Sequence, residues 1–289
     1  NILTYELRAL GMHEEQYKML AKEIAKPNGL ILTTGPTGSG KTTALYAALE
    51  SIKTPEIKII TIEDPIEYKI EGITQTQVDA REGYTFEQGL VAILRQDPDV
   101  ILVGEIRTNE AANMAINAAL TGHIVFSTLH TNDSAGAIPR LRNLNVERTL
   151  IPSALSAVVA QRLVRQLCPN CKEAYAPSAD ILVAIEQGLA LISPKAKITP
   201  PENTKTLYRA KGCPKCFGTG YHGRTTIFEL LIIDEEIREM ILANTPSTEI
   251  AKVAREKKGM ETLRDYGLLK VKLGLTTLLE VQRITASDE

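Results

Sequence analysis

The stretch that decides the fold is Gly35-Pro36-Thr37-Gly38-Ser39-Gly40-Lys41-Thr42, which matches every defined position of the phosphate-binding loop pattern G-x-x-x-x-G-K-[ST]. The apolar, partly β-branched run Leu30–Thr34 precedes it and predicts a buried strand. Apolar residues between Ala44 and Ile52 follow at helical spacing. A strand, a glycine loop and a helix in this order indicate a site where backbone N–H groups and a helix N-terminus surround a phosphate chain.

The residue types within this loop assign its chemistry. Glycines allow the backbone to approach a phosphate closely and to adopt positive φ. We expect Lys41 to reach the β- and γ-phosphates of a nucleotide and the Thr42 hydroxyl to bind Mg²⁺. The alternative is a chance glycine turn before a helix, which the flanking strand and helix argue against. The predicted nucleotide-binding residues are Gly35, Thr37, Gly38, Ser39, Gly40, Lys41, Thr42 and Thr43.

Composition and chain ends narrow the class of protein. The chain has 289 residues, 44% hydrophobic and 24% charged, enough for one large or two modest domains. A net charge of −2 argues against non-specific nucleic-acid binding. Polar residues interrupt the longest uncharged stretch, Ala111–Asn132, so it predicts no membrane span. We expect a cytoplasmic protein without a secretion signal and, because it opens at Asn1 without methionine, a fragment of a longer one.

Short apolar runs alternate with helical patterns up to about Arg165. The predicted strands are Leu30–Thr34, Lys58–Glu63, Val100–Gly104 and Ile124–Ser127. The predicted helices are Glu14–Lys26, Lys41–Ser51, Phe86–Arg95 and Glu110–Leu120, with a further helical pattern from Asp234 onward. This alternation predicts an α/β fold with a parallel sheet covered by helices, in which ligands bind at the carboxyl ends of the strands.

All four cysteines fall in two Cys-Pro-x-Cys turns, Cys168 with Cys171 and Cys213 with Cys216. Two residues between thiolates let both bind one ion, so two such turns predict a closed, structural zinc site with four cysteine ligands. The spacer between the pairs exceeds the usual 15–20 or so residues, so the zinc closes a long loop. Disulfides and a redox pair are the alternatives, and CxxC turns in a cytosolic chain favour the metal.

Carboxylates follow two of the predicted strands. Glu63, Asp64 and Glu67 come at the end of the second strand, where oxygen ligands suit Mg²⁺. After the third strand, Gly104 occupies the place of the usual metal-organising Asp, so either Glu63 or Asp64 is expected to take that role. Glu105 is placed to orient or deprotonate an attacking water. The alternative for each carboxylate is a solvated loop residue.

A histidine and several arginines complete the set of candidate functional residues. His130 follows the fourth strand, where it is placed to sense the γ-phosphate or to hydrogen-bond the water, whereas His123 precedes that strand and is expected to be structural. In nucleotide hydrolases an arginine from a neighbouring subunit often stabilises the negative charge on the γ-phosphoryl group in the transition state. Four arginines are candidates for this role: Arg140, Arg142, Arg162 and Arg165.

Together these motifs resemble the secretion-superfamily ATPases, in which they are termed the Walker A, Asp box, Walker B and His box. The matching stretches are the phosphate-binding loop, Ile62–Tyr68, Leu94–Asp99, Gly104–Arg107, Thr121–His123 and Ser127–Asn132. The cysteine pairs, with Gly220–Arg224 and Ile227–Leu230, resemble the extension branch, which comprises the type II secretion and type IV pilus assembly ATPases. Pilus retraction ATPases lack the four-cysteine module. The resemblance extends from about residue 9 to the end of the chain.

The resemblance implies a RecA-like P-loop NTPase core with a mainly parallel sheet, an inserted four-cysteine zinc module and C-terminal helices. The implied division is a linker from a missing N-terminal domain (1–28), the ATPase core (29–167), the zinc module (168–217) and a mainly helical part that completes the ATPase domain (218–289). Glu63 corresponds to the Asp-box acid, which with Thr42 organises Mg²⁺. Glu105 corresponds to the catalytic glutamate, and His130 to the His-box residue that faces the nucleotide.

The resemblance also implies a cytoplasmic motor, peripheral at the inner membrane, that hydrolyses ATP to assemble pilins or pseudopilins. The implied partners are ATP, Mg²⁺, Zn²⁺, further copies of the chain in a homohexamer, and inner-membrane platform proteins that mediate membrane association. Direct contact with nucleic acid is not expected. Full-length relatives carry N-terminal domains that contribute arginines to the site, so we expect this chain alone to be a poor ATPase and an unstable hexamer.

Two other functions remain open at this point. One is a P-loop nucleic-acid motor or binding protein that grips DNA or RNA with a zinc ribbon. Six basic residues favour it: Lys195, Lys197, Lys205, Arg209, Lys211 and Lys215. The net acidity, four phenylalanines and absence of tryptophan argue against it. The other is a catalytically silent scaffold, which an intact Glu105 argues against.

Overall fold

The structure, a computed structural model, describes residues 7–79, 81–196 and 205–286. Its main feature is a seven-stranded sheet of order β3-β2-β4-β5-β1-β6-β9, in which β6 and β9 pair antiparallel and the other neighbours are parallel. A separate two-stranded sheet pairs β7 with β8. The strands are β1 Gly29–Thr34, β2 Ile59–Glu63, β3 Thr74–Gln77, β4 Val100–Val103, β5 Ile124–Leu129, β6 Leu155–Leu167, β7 Glu173–Tyr175, β8 Leu207–Arg209 and β9 Tyr221–Ile232.

Helices cover both faces of the main sheet. They are α1 Glu14–Ile24, α2 Lys41–Ile52, α3 Phe86–Leu94, α4 Asn109–Leu120, α5 Ala137–Asn143, α6 Ile151–Ala154, α7 Ala179–Ala190, α8 Glu235–Leu242, α9 Ser247–Lys258, α10 Leu263–Lys272 and α11 Leu278–Thr285. Successive strand residues face opposite sides. Leu30 and Leu32 therefore pack with α3, α4 and α8, whereas Ile31 packs with α1, α2 and α10. Because both faces are covered, the central strands β1, β2, β4 and β5 are buried along their whole length and are mostly apolar.

The predicted α/β fold with a mainly parallel sheet is confirmed. The four predicted strands form β1, β2, β4 and β5, which lie parallel to their neighbours, and the predicted helices form α1 to α4 with ends that differ by at most a few residues. The helical pattern after Asp234 corresponds to α8 and the three helices that follow. Among the described residues, no helix has the length and apolar character needed to cross a bilayer.

Three strands of the main sheet were not predicted. The polar strand β3 lies at one edge, and β6 and β9 form the other side of the sheet. In β6 and β9, Ala157 pairs with Ile232 at one end and Leu167 pairs with Tyr221 at the other. The cysteine turns, β7, α7 and β8 lie between these two strands in the chain. A small apolar cluster that includes Ile185, Leu207 and Leu268 joins this insertion to α10.

Candidate nucleotide site and cysteine cluster

The glycine loop connects the carboxyl end of β1 to α2. Gly35, Gly38 and Gly40 have φ values of 150°, 77° and 89°, a range in which side chains are strained, as the sequence predicted. Lys41 folds back over the loop, and its Nζ donates to the carbonyls of Gly35 at 2.8 Å and Pro36 at 3.0 Å. Burial lowers the pKa of Lys41, as does the positive charge of Arg162, while Glu105 opposes the shift.

A cavity of about 550 Å³ opens beside this loop. That volume is within the range of small-molecule sites. Six predicted loop residues line it: Thr37, Gly38, Gly40, Lys41, Thr42 and Thr43. The other two lie behind the lining, since the Gly35 carbonyl is bound by Lys41 and Ser39 is buried. The predicted residues Glu63, Glu105 and His130 line the same cavity, so three strand ends converge with the loop.

Glu63 is the last residue of β2 and is only 2% exposed. Three side chains donate hydrogen bonds to its carboxylate. Tyr46 donates to Oε2, and Thr61 and Gln75 donate to Oε1 at 2.5 and 3.2 Å. Asp64, the other candidate for the metal-organising acid, is exposed at the cavity wall. Sequence reasoning missed Tyr46 and Gln75, because a hydroxyl in an apolar helix and an amide in a polar strand carry no distinctive pattern.

The glycine in the Walker B position has a steric reason. A Cβ added to Gly104 would lie 3.3 Å from both the Glu63 Cα and the Ile62 carbonyl oxygen. The Gly104 N–H also donates to that carbonyl at 2.8 Å. The ends of β4 and β2 therefore approach so closely that an aspartate at position 104 would crowd Glu63. This geometry favours Glu63 as the acid that organises the metal in place of an aspartate at position 104.

Glu105 and His130 are in direct contact. The His130 Nε2 lies 3.6 Å from Glu105 Oε2, and the Arg107 Nε lies 2.6 Å from the same oxygen. Arg107 and Arg224 line the cavity, although neither belonged to the predicted arginine set. His123, predicted to be structural, contacts the Ala118 carbonyl through Nδ1 at 3.0 Å.

The four candidate arginines have different surroundings. Arg140 and Arg142 are exposed on α5. Arg165 is paired with Glu280 of α11, at 2.6 Å. Arg162 is 4% exposed and donates to the Asn132 carbonyl at 2.6 Å, two residues beyond His130.

The four cysteines form one compact cluster, with all four Sγ atoms within 4.8 Å of one another. The Sγ atoms are 3.9 Å apart for Cys168 and Cys213, and 3.7 Å apart for Cys171 and Cys216 and for Cys213 and Cys216. A disulfide needs about 2.05 Å, so these are free thiols. Zinc–sulfur bonds of about 2.3 Å in a tetrahedron place sulfurs about 3.8 Å apart. The donor set and its spacing therefore fit a zinc ion.

The basic residues near this cluster are partly neutralised. Arg209 and Lys211 both contact the Glu173 carboxylate, at 3.2 and 2.6 Å. The Lys215 Nζ donates to the Asn170 side chain at 3.4 Å. Lys197 lies outside the described residues. Because two of these cations share a carboxylate, the local positive field that nucleic-acid binding requires is weakened.

Comparisons with known proteins identify the family. Residues 1–283 match the family model described as Type II/IV secretion system protein, and the chain belongs to this family. It is 49% identical over 288 residues to the type II secretion system ATPase E of Vibrio cholerae, covering 99% of this chain and 54% of that protein. It is 48% identical over 276 residues to the type IV pilus assembly ATPase PilB of Thermus thermophilus, covering 96% of this chain and 30% of that protein. The chain thus spans about half the length, or less, of these relatives.

Solved structures agree on the fold. The pilus retraction motor PilT with bound ADP has 27% identity and a TM-score of 0.69, covering 98% of this chain and 68% of PilT. The Legionella pneumophila ATPase DotB has 23% identity and a TM-score of 0.67, covering 98% of this chain and 66% of DotB. The expected RecA-like core with a mainly parallel sheet and the resemblance to secretion ATPases are therefore both confirmed.

Proposed function

We propose that this chain is the ATP-hydrolysing part of a motor that assembles pilin-like subunits, in type II secretion or type IV pilus biogenesis. The observation that carries this proposal is the convergence of the glycine loop with Glu63, Glu105 and His130 on one cavity of about 550 Å³. The names of the secretion and pilus assembly ATPases to which the chain is similar support a motor over a nucleic-acid binding protein.

In the proposed reaction, loop N–H groups bind the β- and γ-phosphates, and Lys41 exchanges its contacts with the Gly35 and Pro36 carbonyls for phosphate oxygens. A water attacks the γ-phosphorus in line with the bond to the bridging oxygen, which breaks to release ADP. Glu105 orients this water and accepts its proton. His130, which contacts Glu105, hydrogen-bonds the γ-phosphate in this proposal.

We assign the magnesium site to Thr42 and Glu63. Thr42 lines the cavity at the start of α2, where its hydroxyl would bind the metal. A carboxylate has about four lone-pair sites, and three donors already contact Glu63, so capacity is left for a metal-bound water. When bound, Mg²⁺ neutralises charge that develops on the transferred phosphoryl group. The surrounding hydrogen bonds hold the carboxylate in one orientation.

We assign a structural zinc to Cys168, Cys171, Cys213 and Cys216, within a module spanning residues 168–217. The proposed division of the rest of the chain is a linker at 1–28, the core at 29–167 and the completing part at 218–289. The match between the sulfur spacing and a tetrahedral zinc supports the assignment. All four positions would be occupied by thiolates, so this zinc stabilises the fold and takes no part in hydrolysis.

The proposed assembly is a homohexamer on the cytoplasmic face of the inner membrane, attached through platform proteins of the secretion or pilus machine. Support comes from the family and from the names of its relatives. A site completed between subunits would suit the open cavity, which Arg107 and Arg224 line together with the loop.

The test is Mg-ATP turnover over a range of protein concentrations, for the wild type, Glu105→Gln and the matched surface variant Glu110→Gln. We expect specific activity to rise with concentration and to fall by about 100-fold or more in Glu105→Gln, since that is the usual contribution of a general base. Glu110→Gln is expected to match the wild type. Equal turnover in Glu105→Gln, together with unchanged nucleotide binding of Lys41→Ala by calorimetry, would overturn the proposal.

A further inference from the structure

Strand β6 runs beneath the phosphate-binding loop and supports it directly. The Gln161 Nε2 donates to the Ser39 carbonyl at 2.9 Å, and Gln161 is only 1% exposed. A Cβ added to Gly35 would lie 2.6 Å from the Gln161 carbonyl oxygen, and one added to Gly40 would lie 3.3 Å from Gln161 Nε2. Gly35 is therefore required by its contact with the Gln161 main chain as well as by its backbone angle, whereas a Cβ at position 40 would only crowd the Gln161 amide.

The next residue of β6 contacts the loop that carries His130. The Nη2 of Arg162 donates to the Asn132 carbonyl at 2.6 Å, and its Nη1 donates to the Gln161 carbonyl at 3.1 Å. The same Nη1 would lie 3.1 Å from a Cβ added to Gly35. A buried guanidinium is costly unless its N–H groups are bonded, so its position is fixed by the Asn132 carbonyl in the loop after His130 and by the Gln161 carbonyl on β6.

The neighbouring strand holds the same loop at a second point. Glu229 of β9, which is opposite Ala160 of β6, accepts a hydrogen bond from the Ser134 N–H at 2.8 Å. It also accepts one from the Leu263 N–H at the start of α10, at 3.3 Å. The segment after His130 is thus held at Asn132 by Arg162 and at Ser134 by Glu229, and its Thr131 N–H donates to the Thr34 hydroxyl at 2.8 Å.

We propose that Gln161 and Arg162 are positioning residues that couple the phosphate-binding loop to the His130 segment, residues 130–136. The coupling rests on the proposed ATPase function. Phosphate binding that shifts Gly35 or Ser39 moves the main chain or amide of Gln161, whose carbonyl is a partner of the Arg162 guanidinium. The guanidinium transfers the shift to Asn132, two residues from His130. Neither side chain lines the nucleotide cavity, so both act through the residues they hold.

The experiment is backbone hydrogen exchange of the whole chain with and without ADP, read at residues 35–42 and 130–136. The variants are Gln161→Leu, Arg162→Gln and Arg162→Lys, with Arg238→Gln on α8 as a surface control. In the wild type and the control, ADP should slow exchange in both segments. In Arg162→Gln the slowing should persist at 35–42 and be clearly reduced at 130–136, and Arg162→Lys should restore it in part.

ADP affinity and ATP turnover distinguish the effect of replacing Gln161 from that of replacing Arg162. Gln161→Leu loses one hydrogen bond to the loop, so ADP should bind about fivefold more weakly, and KM for ATP should rise. Arg162→Gln should lower kcat more than it changes KM, because it affects the segment that carries His130. Circular dichroism checks that each variant is folded.

The outcomes distinguish this inference from the proposed function. Absence of ADP binding in the wild type would overturn both. ADP binding with an undiminished response at 130–136 in Arg162→Gln would overturn the coupling alone. If Arg162→Gln does not fold, Arg162→Lys decides, since it keeps the charge but not the paired N–H geometry. An undiminished response in that variant would also overturn the coupling.

Discussion

The phenol of Tyr46 donates a hydrogen bond to Oε2 of Glu63, so the helix that begins at the phosphate-binding loop also fixes the acid at the end of β2. Tyr46 is 1% exposed. Burial and the contact with Glu63 raise the pKa of Tyr46, and the phenol therefore stays protonated and donating at physiological pH. Lys41 and Glu63 are thus connected through a single rigid element, α2.

Replacement of Tyr46 by phenylalanine tests this connection. A hydrogen bond to a charged group contributes about 1.5–3 kcal/mol, so we expect kcat for Mg-ATP to fall by about tenfold and the Mg²⁺ requirement to rise. ADP binding without metal should change little. Steady-state kinetics over a range of Mg²⁺ concentrations measure kcat and the Mg²⁺ requirement, with Tyr17→Phe on α1 as the matched control. A normal Mg²⁺ profile in Tyr46→Phe would contradict a positioning role.

Loss of one cysteine should remove the metal and spare the nucleotide site. We expect Cys213→Ser to lose bound zinc and to unfold at a lower temperature, because structural zinc contributes strongly to the folding of its module. None of the four cysteines, all of which the structure describes, lines the nucleotide cavity, so ADP affinity should be retained. Metal analysis and thermal melting test this, with Ser153→Ala as a control away from the cluster. A wild-type protein purified without zinc would refute the assignment.

Glu280 makes stability depend on pH in the acid range. Its carboxylate is buried, which would raise its pKa, but hydrogen bonds from Arg165 and Arg283 lower the pKa to about 2. The folded pKa therefore lies below the unfolded value of about 4.3, so the stabilisation is complete above about pH 5 and is lost as pH falls toward about 2.

We expect Glu280→Gln to destabilise the chain by about 2 kcal/mol at about pH 7 and by less at about pH 3. Urea unfolding at both pH values measures the difference. Glu235→Gln, which removes one partner of an exposed pair with Arg238, should have little effect at either pH. A constant gap between wild type and Glu280→Gln would show that the stabilisation does not come from ionisation.

Glu229 should make the stability of the fold decrease as pH rises toward neutral, which is the opposite of the effect of Glu280. Burial raises its pKa to about 7, although hydrogen bonds from Ser134 oppose the shift. Because the folded pKa lies above the unfolded value, the fold favours the protonated carboxyl, and this contribution is lost as pH rises through about 7. In Glu229→Gln the dependence between the unfolded pKa of about 4.3 and the folded value of about 7 should disappear. Unfolding curves with an unaltered slope over that range would contradict this expectation.

The sequence predicted the central parallel strands of the main sheet better than the antiparallel strands β6 and β9 at its side. Strands buried on both faces are rich in apolar residues, so β1, β2, β4 and β5 were recognisable, and Glu63, Glu105 and His130 stood out because they lie at or just after strand ends. Strand β6 was missed because Gln161 and Arg162 interrupt its apolar run. Their partners, Ser39 and Asn132, are distant along the chain. Such contacts have no signature in local periodicity.

Leu167 and Tyr221 are ladder partners, although the whole cysteine-bearing insertion lies between them. The chain therefore leaves the main sheet and returns to it at one place. An excursion of this kind can lengthen, shorten or be exchanged for a tight turn while the order of the strands is kept. A protein built in this way can gain or lose its metal-binding appendage in a single genetic step, and the same junction is a rational place to graft a reporter domain.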